Sequence, residues 1–282
     1  KKQFKLREHL ERLYASIKFI RIPLEMTIDE MEQAVYDTIE INKDHFNDED
    51  EHRIMINVTR GLIPIYENRV GTEAGPNVII SNYPLRWTVQ SLGHLYTSGI
   101  NLVVVNQRAI PAYLLEPKIK NRSRLHYQMA NIEASLFKGK DNWAMLLDPD
   151  GFVTEGTGDN IFIVKDGVVI TPEGRNILRG VSRQYVIDLC TRLGVPCIEK
   201  NIETYDVMFA DECFVTATPF CILPVMRLNG QPIGDGGYGK MTKYLLEEWS
   251  KDVGVDIEEQ IKRYTDMVDQ ESIKSPYQLE YE

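Results

Sequence analysis

The run Val153-Thr154-Glu155-Gly156-Thr157-Gly158-Asp159-Asn160-Ile161-Phe162 ends one strand-forming stretch on an acid and two glycines and opens another. Ile161 to Val164, the turn Lys165-Asp166-Gly167 and Val168 to Ile170 continue it as a β-hairpin, because Asp-Gly readily adopts the left-handed angles of a two-residue turn. Trp143 to Leu147 precedes it as a strand, with a turn at Asp148-Pro149-Asp150-Gly151, and Asn229-Gly230 supplies a further turn downstream. Two helices punctuate these strands, Val181 to Leu193 ended by Gly194 and Gly239 to Trp249 ended near Gly254. The second half is therefore strand-dominated with helices packed outside.

Further outward, the first half mixes both periods. Leu6, Leu10, Leu13, Tyr14 and Ile17 recur at helical spacing, and Thr27 with Glu30 forms a capping-box pattern opening a helix to about Asn42. Arg53 to Val58, Val78 to Ser81 and Ile100 to Asn106 read as strands, the last buried on both faces. Leu125, Met129, Ile132 and Leu136 mark a helix within 123–137. Residues 109–118 carry two prolines and no period. The expected organisation is a small α/β domain over 1–112, a linker over 113–119 and a larger domain over 120–282. The tail beyond about Lys262 is charged and weakly patterned.

The chain has 282 residues, 43% of them apolar and 26% charged, which suits a globular protein with a real core. Its net charge of −10 gives it no electrostatic hold on nucleic acid or an anionic membrane. The uncharged run Cys213 to Met226 is broken by Pro219 and Pro224 and is shorter than the roughly 18 to 20 residues a membrane span needs. Cys190, Cys197, Cys213 and Cys221 lack metal-ligand spacing and read as reduced core thiols of a cytoplasmic protein. The sequence opens Lys-Lys-Gln-Phe, without an initiator Met, and the natural start is expected upstream.

Histidines are few and scattered, so neither a metal centre nor a Ser-His-Asp triad is indicated, and Asp148 with Asp150 is explained by a turn. No glycine-rich dinucleotide or triphosphate motif occurs. Three stretches remain. Ile177-Leu178-Arg179-Gly180-Val181-Ser182-Arg183 starts a helix, whose first N–H groups at Val181 and Ser182 could bind an anion or serve only as a helix start. Glu155 sits at a strand end beside glycines. Val215-Thr216-Ala217-Thr218-Pro219 places small hydroxyl residues after a strand.

In order and spacing these stretches resemble the class IV aminotransferases, the fold-type-IV pyridoxal-phosphate enzymes that include branched-chain and D-amino-acid aminotransferases, R-selective amine transaminases and aminodeoxychorismate lyase. The resemblance spans nearly the whole chain. It is carried by Phe4, Glu8, His9, Arg12 and Leu13; Lys120 with Glu133-Ala134; Val153 to Gly156 with Asn160-Ile161-Phe162; Leu178 to Arg183; Ala210 to Thr218; and Pro224-Val225 before Asn229-Gly230.

The resemblance implies an α+β, two-domain fold with a barrel-like, strand-rich cofactor domain, a pyridoxal 5'-phosphate cofactor and a homodimer. It makes Lys120 the Schiff-base lysine and proton shuttle, with Lys118 the nearest rival. Glu155 matches the acid on the pyridine nitrogen, which keeps the ring an electron sink. Arg12, the N–H groups of Val181 and Ser182, and Thr218 match the phosphate ligands, and Leu178 the apolar residue on the ring face. No metal is implied. The partners would be an amino donor and a 2-oxo acid, with branched-chain-like donors favoured.

Departures bear on substrate. Branched-chain relatives carry a Tyr soon after the lysine to contact the cofactor's phenolic oxygen, and here Tyr127 is only a possible substitute. Pro219 stands where relatives use a backbone N–H for the substrate carboxylate, and proline has none. Leu62-Ile63-Pro64-Ile65 lacks the arginine by which D-amino-acid aminotransferases hold substrate. Arg60, Arg86 and Arg108 are possible anion-recognition residues. Alternative activities are transamination of D-amino acids or R-amines and an aminodeoxychorismate-lyase reaction. A non-catalytic binding protein is disfavoured by the presence of both Lys120 and Glu155.

Overall fold

Thr27 accepts from the Glu30 N–H and the Glu30 carboxylate accepts from the Thr27 N–H, so the expected capping box starts a helix over Ile28–Asn42 (α2). The computed structural model that shows this describes residues 3–62 and 75–268. Ile63, Pro64 and Ile65 and the tail beyond 268 lie outside the described residues. Two compact units divide the chain, Lys1–Thr88 and Val89–Glu282.

In the first unit, α1 (Leu6–Phe19) and α2 cover a hairpin of β1 (His52–Thr59) and β2 (Asn77–Pro84), which pair antiparallel from His52↔Pro84 to Thr59↔Asn77. Leu6 and Leu10 from α1 and Met31, Val35 and Ile39 from α2 are buried against Ile54, Ile56, Val58, Val78 and Ile80. Each fully buried aliphatic side chain contributes about 1.5–3 kcal/mol, so this two-layer contact accounts for the unit's cohesion. The short helix α3 (Arg86–Val89) spans the division of the chain at Thr88.

The second unit holds α4 (Leu95–Ser98), β3 (Ile100–Val104), α5 (Leu125–Ser135), β4 (Asn142–Leu147), β5 (Val153–Gly156), β6 (Asn160–Lys165) and β7 (Val168–Thr171). It continues with α6 (Val181–Leu193), β8 (Cys197–Glu199), α7 (Thr204–Met208), β9 (Glu212–Ala217), β10 (Cys221–Leu228), β11 (Gln231–Pro232), α8 (Lys240–Val253) and α9 (Ile257–Asp266). Pairing runs β3-β4-β5-β6, then β6 to β9, β9 to β10 and β10 back to β3, so these six strands close into a barrel. β7 and β8 extend from β6, and β11 from β10. Closure removes the free strand edges of the ring. It also explains why β3 and β6 are nearly wholly apolar: both of their faces are covered. Phe162 and Phe214, register partners on β6 and β9, are both fully buried and stack with centroids 4.9 Å apart.

The Asp166-Gly167 turn adopts φ of 49° and 77°, as its sequence requires, and Asn229-Gly230 does the same at 50° and 81°. Gly194 and Gly254 end α6 and α8 in the left-handed conformation. The four cysteines are free thiols. The compact units divide at Thr88, and β3 pairs with β4 and β10 inside the barrel of the second. Four helices go beyond the pattern read from sequence: the short α3, α4 and α7, and α9, which continues through Asp266. Ile257, Ile261, Tyr264 and Thr265 form the buried stripe of α9, and its charges occupy the other face. No helix among the described residues is long and apolar enough to cross a membrane.

Candidate active site

Register decides what stands beside Glu155. Glu155 on β5 pairs with Asn160 on β6, and Asn160 pairs with Thr216 on β9, so these three side chains share one face at one end of the barrel. Glu155 is buried. Its Oε2 accepts from Asn160 Nδ2 at 3.1 Å and from the Leu178 N–H at 3.0 Å, and its Oε1 accepts from the Tyr127 hydroxyl at 2.9 Å. Asn160 Nδ2 also donates to the Leu178 carbonyl at 3.0 Å. Leu178 is thus locked onto the acid by its own backbone.

Burial pushes the Glu155 carboxyl up to about 7, against the opposing effects of the Tyr127 and Leu178 hydrogen bonds and the charges of Lys120 and Arg124. Burial, with the Glu155 charge adding to it, pushes Asp159 up to about 7 as well. Burial and the same charge raise the Tyr127 phenol. Lys120 lies on the irregular segment before α5, exposed, yet close enough for its charge to act on Glu155. Its rival Lys118 is held elsewhere, in an ion pair with Glu116 and a 3.1 Å bond to the Arg175 carbonyl.

Gly180 is the N-cap of α6 and no side chain caps that helix, so the N–H groups of Val181 and Ser182 open its first turn, with Ser182 itself buried. A Cβ at position 180 would lie 2.2 Å from Asn160 Oδ1, so glycine lets this helix start close against the Glu155–Asn160 row. Thr218 is exposed in the turn joining β9 to β10, two residues past Thr216 and at the same end of the strand. Pro219 follows it in that turn. Arg12 belongs to the first unit, half-buried on α1, with Nη2 3.4 Å from His9 Nδ1.

The second unit therefore brings Lys120, Glu155, Leu178, Val181 and Ser182 into one neighbourhood, with Thr218 at the same barrel end. Sequence reasoning gave no role to Asn160, Asp159 or Arg124. Asn160 stood inside a quoted motif, but only its register with Glu155 shows that it holds the acid. Arg124 precedes α5, bonds the Thr157 carbonyl and lies 4.7 Å from the centre of the Tyr127 ring. Tyr127, weighed as a contact for the cofactor's phenolic oxygen, gives its hydroxyl to Glu155 instead.

The residues present fit pyridoxal 5'-phosphate. An amine, a buried carboxylate and an uncapped helix start match its aldehyde, ring nitrogen and phosphate. Beside Asn160, Thr216 by register and Asp159 by sequence each leave one buried oxygen, Oγ1 and Oδ1, without a hydrogen-bond partner among the described residues, polar atoms that a further molecule could satisfy.

A lysine, a buried acid and an uncapped helix start at one end of a closed barrel suit an aminotransferase. Residues 1–228 match the family model for amino-transferase class IV, and the chain belongs to that family. It is 36% identical over 253 residues to a putative branched-chain-amino-acid aminotransferase of Methanocaldococcus jannaschii, covering 89% of this chain and 82% of that one. Its fold matches the crystal structure of the Escherichia coli branched-chain amino acid aminotransferase with a TM-score of 0.78 at 28% identity, over 88% of this chain and 79% of that one. It matches the pyridoxal-phosphate form of the Thermobaculum terrenum branched-chain aminotransferase at 0.74 and 28%, over 93% and 81%.

Proposed function

We propose that this protein is a pyridoxal 5'-phosphate-dependent transaminase that moves an amino group from a branched-chain-like amino acid to a 2-oxo acid. The observation that carries the reading is the buried Glu155 carboxylate, held by Asn160 and Leu178 within the influence of Lys120 and beside the uncapped start of α6. Similarity to branched-chain aminotransferases supports the choice of donor.

In this reading Lys120 binds the cofactor covalently and moves the proton at the substrate α-carbon. Glu155 accepts the N–H of the ring nitrogen. Leu178 packs against the ring face. The N–H groups of Val181 and Ser182 and the Thr218 hydroxyl hold the phosphate. Once bound there, the cofactor supplies an electron sink for charge developing at the α-carbon. The donor leaves as a 2-oxo acid before the acceptor enters, a ping-pong order.

A homodimer completes the proposal. Leu125, Met129, Ile132 and Leu136 project from α5 at 72%, 51%, 40% and 77% exposure, an outward apolar row that a second copy of the chain would cover.

Pro219 favours a second reading, transamination of R-amines, because this turn offers no N–H to a substrate carboxylate at that position and such amines bring none. The test is borohydride reduction after adding pyridoxal phosphate, followed by peptide mapping, then assay with leucine and 2-oxoglutarate. Label at Lys120 with glutamate formed supports the primary reading. Label there with turnover only of R-amines supports the second, and pyruvate from aminodeoxychorismate would show a lyase. Label elsewhere, or none, overturns the site.

A further inference from the structure

The hydrogen bonds on Glu155 are unevenly shared. A carboxylate offers about two acceptor positions on each oxygen. Oε2 takes two donors, Asn160 Nδ2 and the Leu178 N–H, whereas Oε1 takes one donor among the described residues, the Tyr127 hydroxyl. One position of Oε1 is therefore left for a further N–H, and Tyr127 determines which. Tyr127 is itself secured. Its ring packs against the cluster of Val103, Ala130, Ala134 and Leu146, its other side faces the Arg124 guanidinium at 4.7 Å, and Arg124 is anchored on the Thr157 carbonyl. That carbonyl belongs to the loop between Glu155 and Asn160, so the arginine ties the start of α5 to the loop that follows the acid.

We infer that Tyr127, braced by Arg124, is a positioning residue that directs the open acceptor site of Glu155 Oε1 toward the ring nitrogen of the bound cofactor. The assignment rests on the proposed cofactor site. It gives Tyr127 a different duty from contact with the phenolic oxygen. The hydroxyl also stabilises the ionised acid, since its hydrogen bond and the Arg124 charge both oppose the effect of burial. Losing either contact makes Glu155 bind its proton more readily and turns its acceptor site.

The experiment uses Tyr127→Phe, which keeps the packed ring and deletes the hydroxyl, and Arg124→Gln, which keeps the hydroxyl and deletes the brace. Carbon-13 NMR of labelled glutamate in the protein without cofactor reads the Glu155 titration directly. Equilibrium dialysis reads pyridoxal phosphate affinity. Tyr127→Phe is expected to move the titration midpoint upward and weaken cofactor binding about tenfold, the scale of one hydrogen bond to a charged group. Arg124→Gln should shift both in the same direction by less, and the double variant should add little to Tyr127→Phe. Midpoints and affinities equal to the parent's in both single variants overturn the assignment. An upward midpoint in cofactor-free Tyr127→Phe supports the acid-directing contact even if the parent itself binds no cofactor, a result that sinks the proposed function separately. If Tyr127→Phe does not fold, Arg124→Gln decides alone by the same two readouts.

Discussion

Asn160 Nδ2 lies 3.1 Å from Glu155 Oε2 and 3.0 Å from the Leu178 carbonyl, so one side-chain amide joins the acid at the end of β5 to the loop that leads into α6. Two acceptors depend on it, the buried Glu155 carboxylate and the part-buried Leu178 carbonyl. Asn160→Ala should destabilise the protein by about 1–3 kcal/mol, because the buried one loses a donor without gaining water. Asn160→Asp should be worse, as it sets a second carboxylate against the first. Urea unfolding of each variant checks the order.

Glu155 also makes stability depend on pH. Its folded-state value of about 7 exceeds the ordinary 4.5, so its contribution is fully present below about 4.5 and is lost as pH rises to about 7. The cofactor-free protein should therefore lose roughly 3 kcal/mol from this group over that interval. Glu155→Gln should flatten that part of the stability profile in urea titrations at pH 5 and pH 8. In the loaded enzyme the same substitution should lower kcat by about a hundredfold or more, since a neutral amide cannot hold the ring nitrogen's proton as a carboxylate does.

The two neighbouring lysines should separate cleanly. The Lys118 ammonium is engaged with Glu116 and the Arg175 carbonyl, whereas Lys120 acts on Glu155. Lys120→Met should abolish turnover and borohydride labelling together. Lys118→Met should keep the label. Mass spectrometry of the reduced protein distinguishes them.

Gly180→Ala should disturb the site through sterics alone. The new methyl would meet Asn160 Oδ1 at 2.2 Å, and relieving that clash pushes the amide away from Glu155. A cost of about 1–3 kcal/mol and weaker cofactor binding are expected, measured by thermal unfolding and dialysis.

The outward face of α5 should control assembly. Met129→Glu or Ile132→Glu places a charge on that row without touching the buried Ala130 and Ala134. Sedimentation velocity should show the parent as a dimer and these variants as monomers, each with unchanged circular dichroism.

Much of the local structure was legible because short-range rules decide it. Thr27 and Glu30 cap α2, Gly194 stops α6, and Asp166-Gly167 and Asn229-Gly230 turn where their backbone preferences require. Other features depend on contacts distant in sequence. The row Leu125, Met129, Ile132 and Leu136 correctly marks a helix, yet α5 buries its alanines against β3 and β4 and turns that row outward. Periodicity identifies an apolar face but not the surface that covers it. The tail near Lys262 looked unpatterned because charges interrupt it, although its buried residues keep the helical spacing.

The amino-acid sequence alone set the hairpin turns, the helix ends and the glycine start of α6, while the expected cofactor, lysine and acid came from its resemblance to a known family. Tertiary structure alone decided that β6 meets both β5 and β9, which puts Asn160 beside Glu155, and that Tyr127 reaches the acid across 28 residues of sequence. The reason is physical: a hydrogen bond on a buried carboxylate is chosen by strand register and ring closure, and those follow from the packing of the whole barrel.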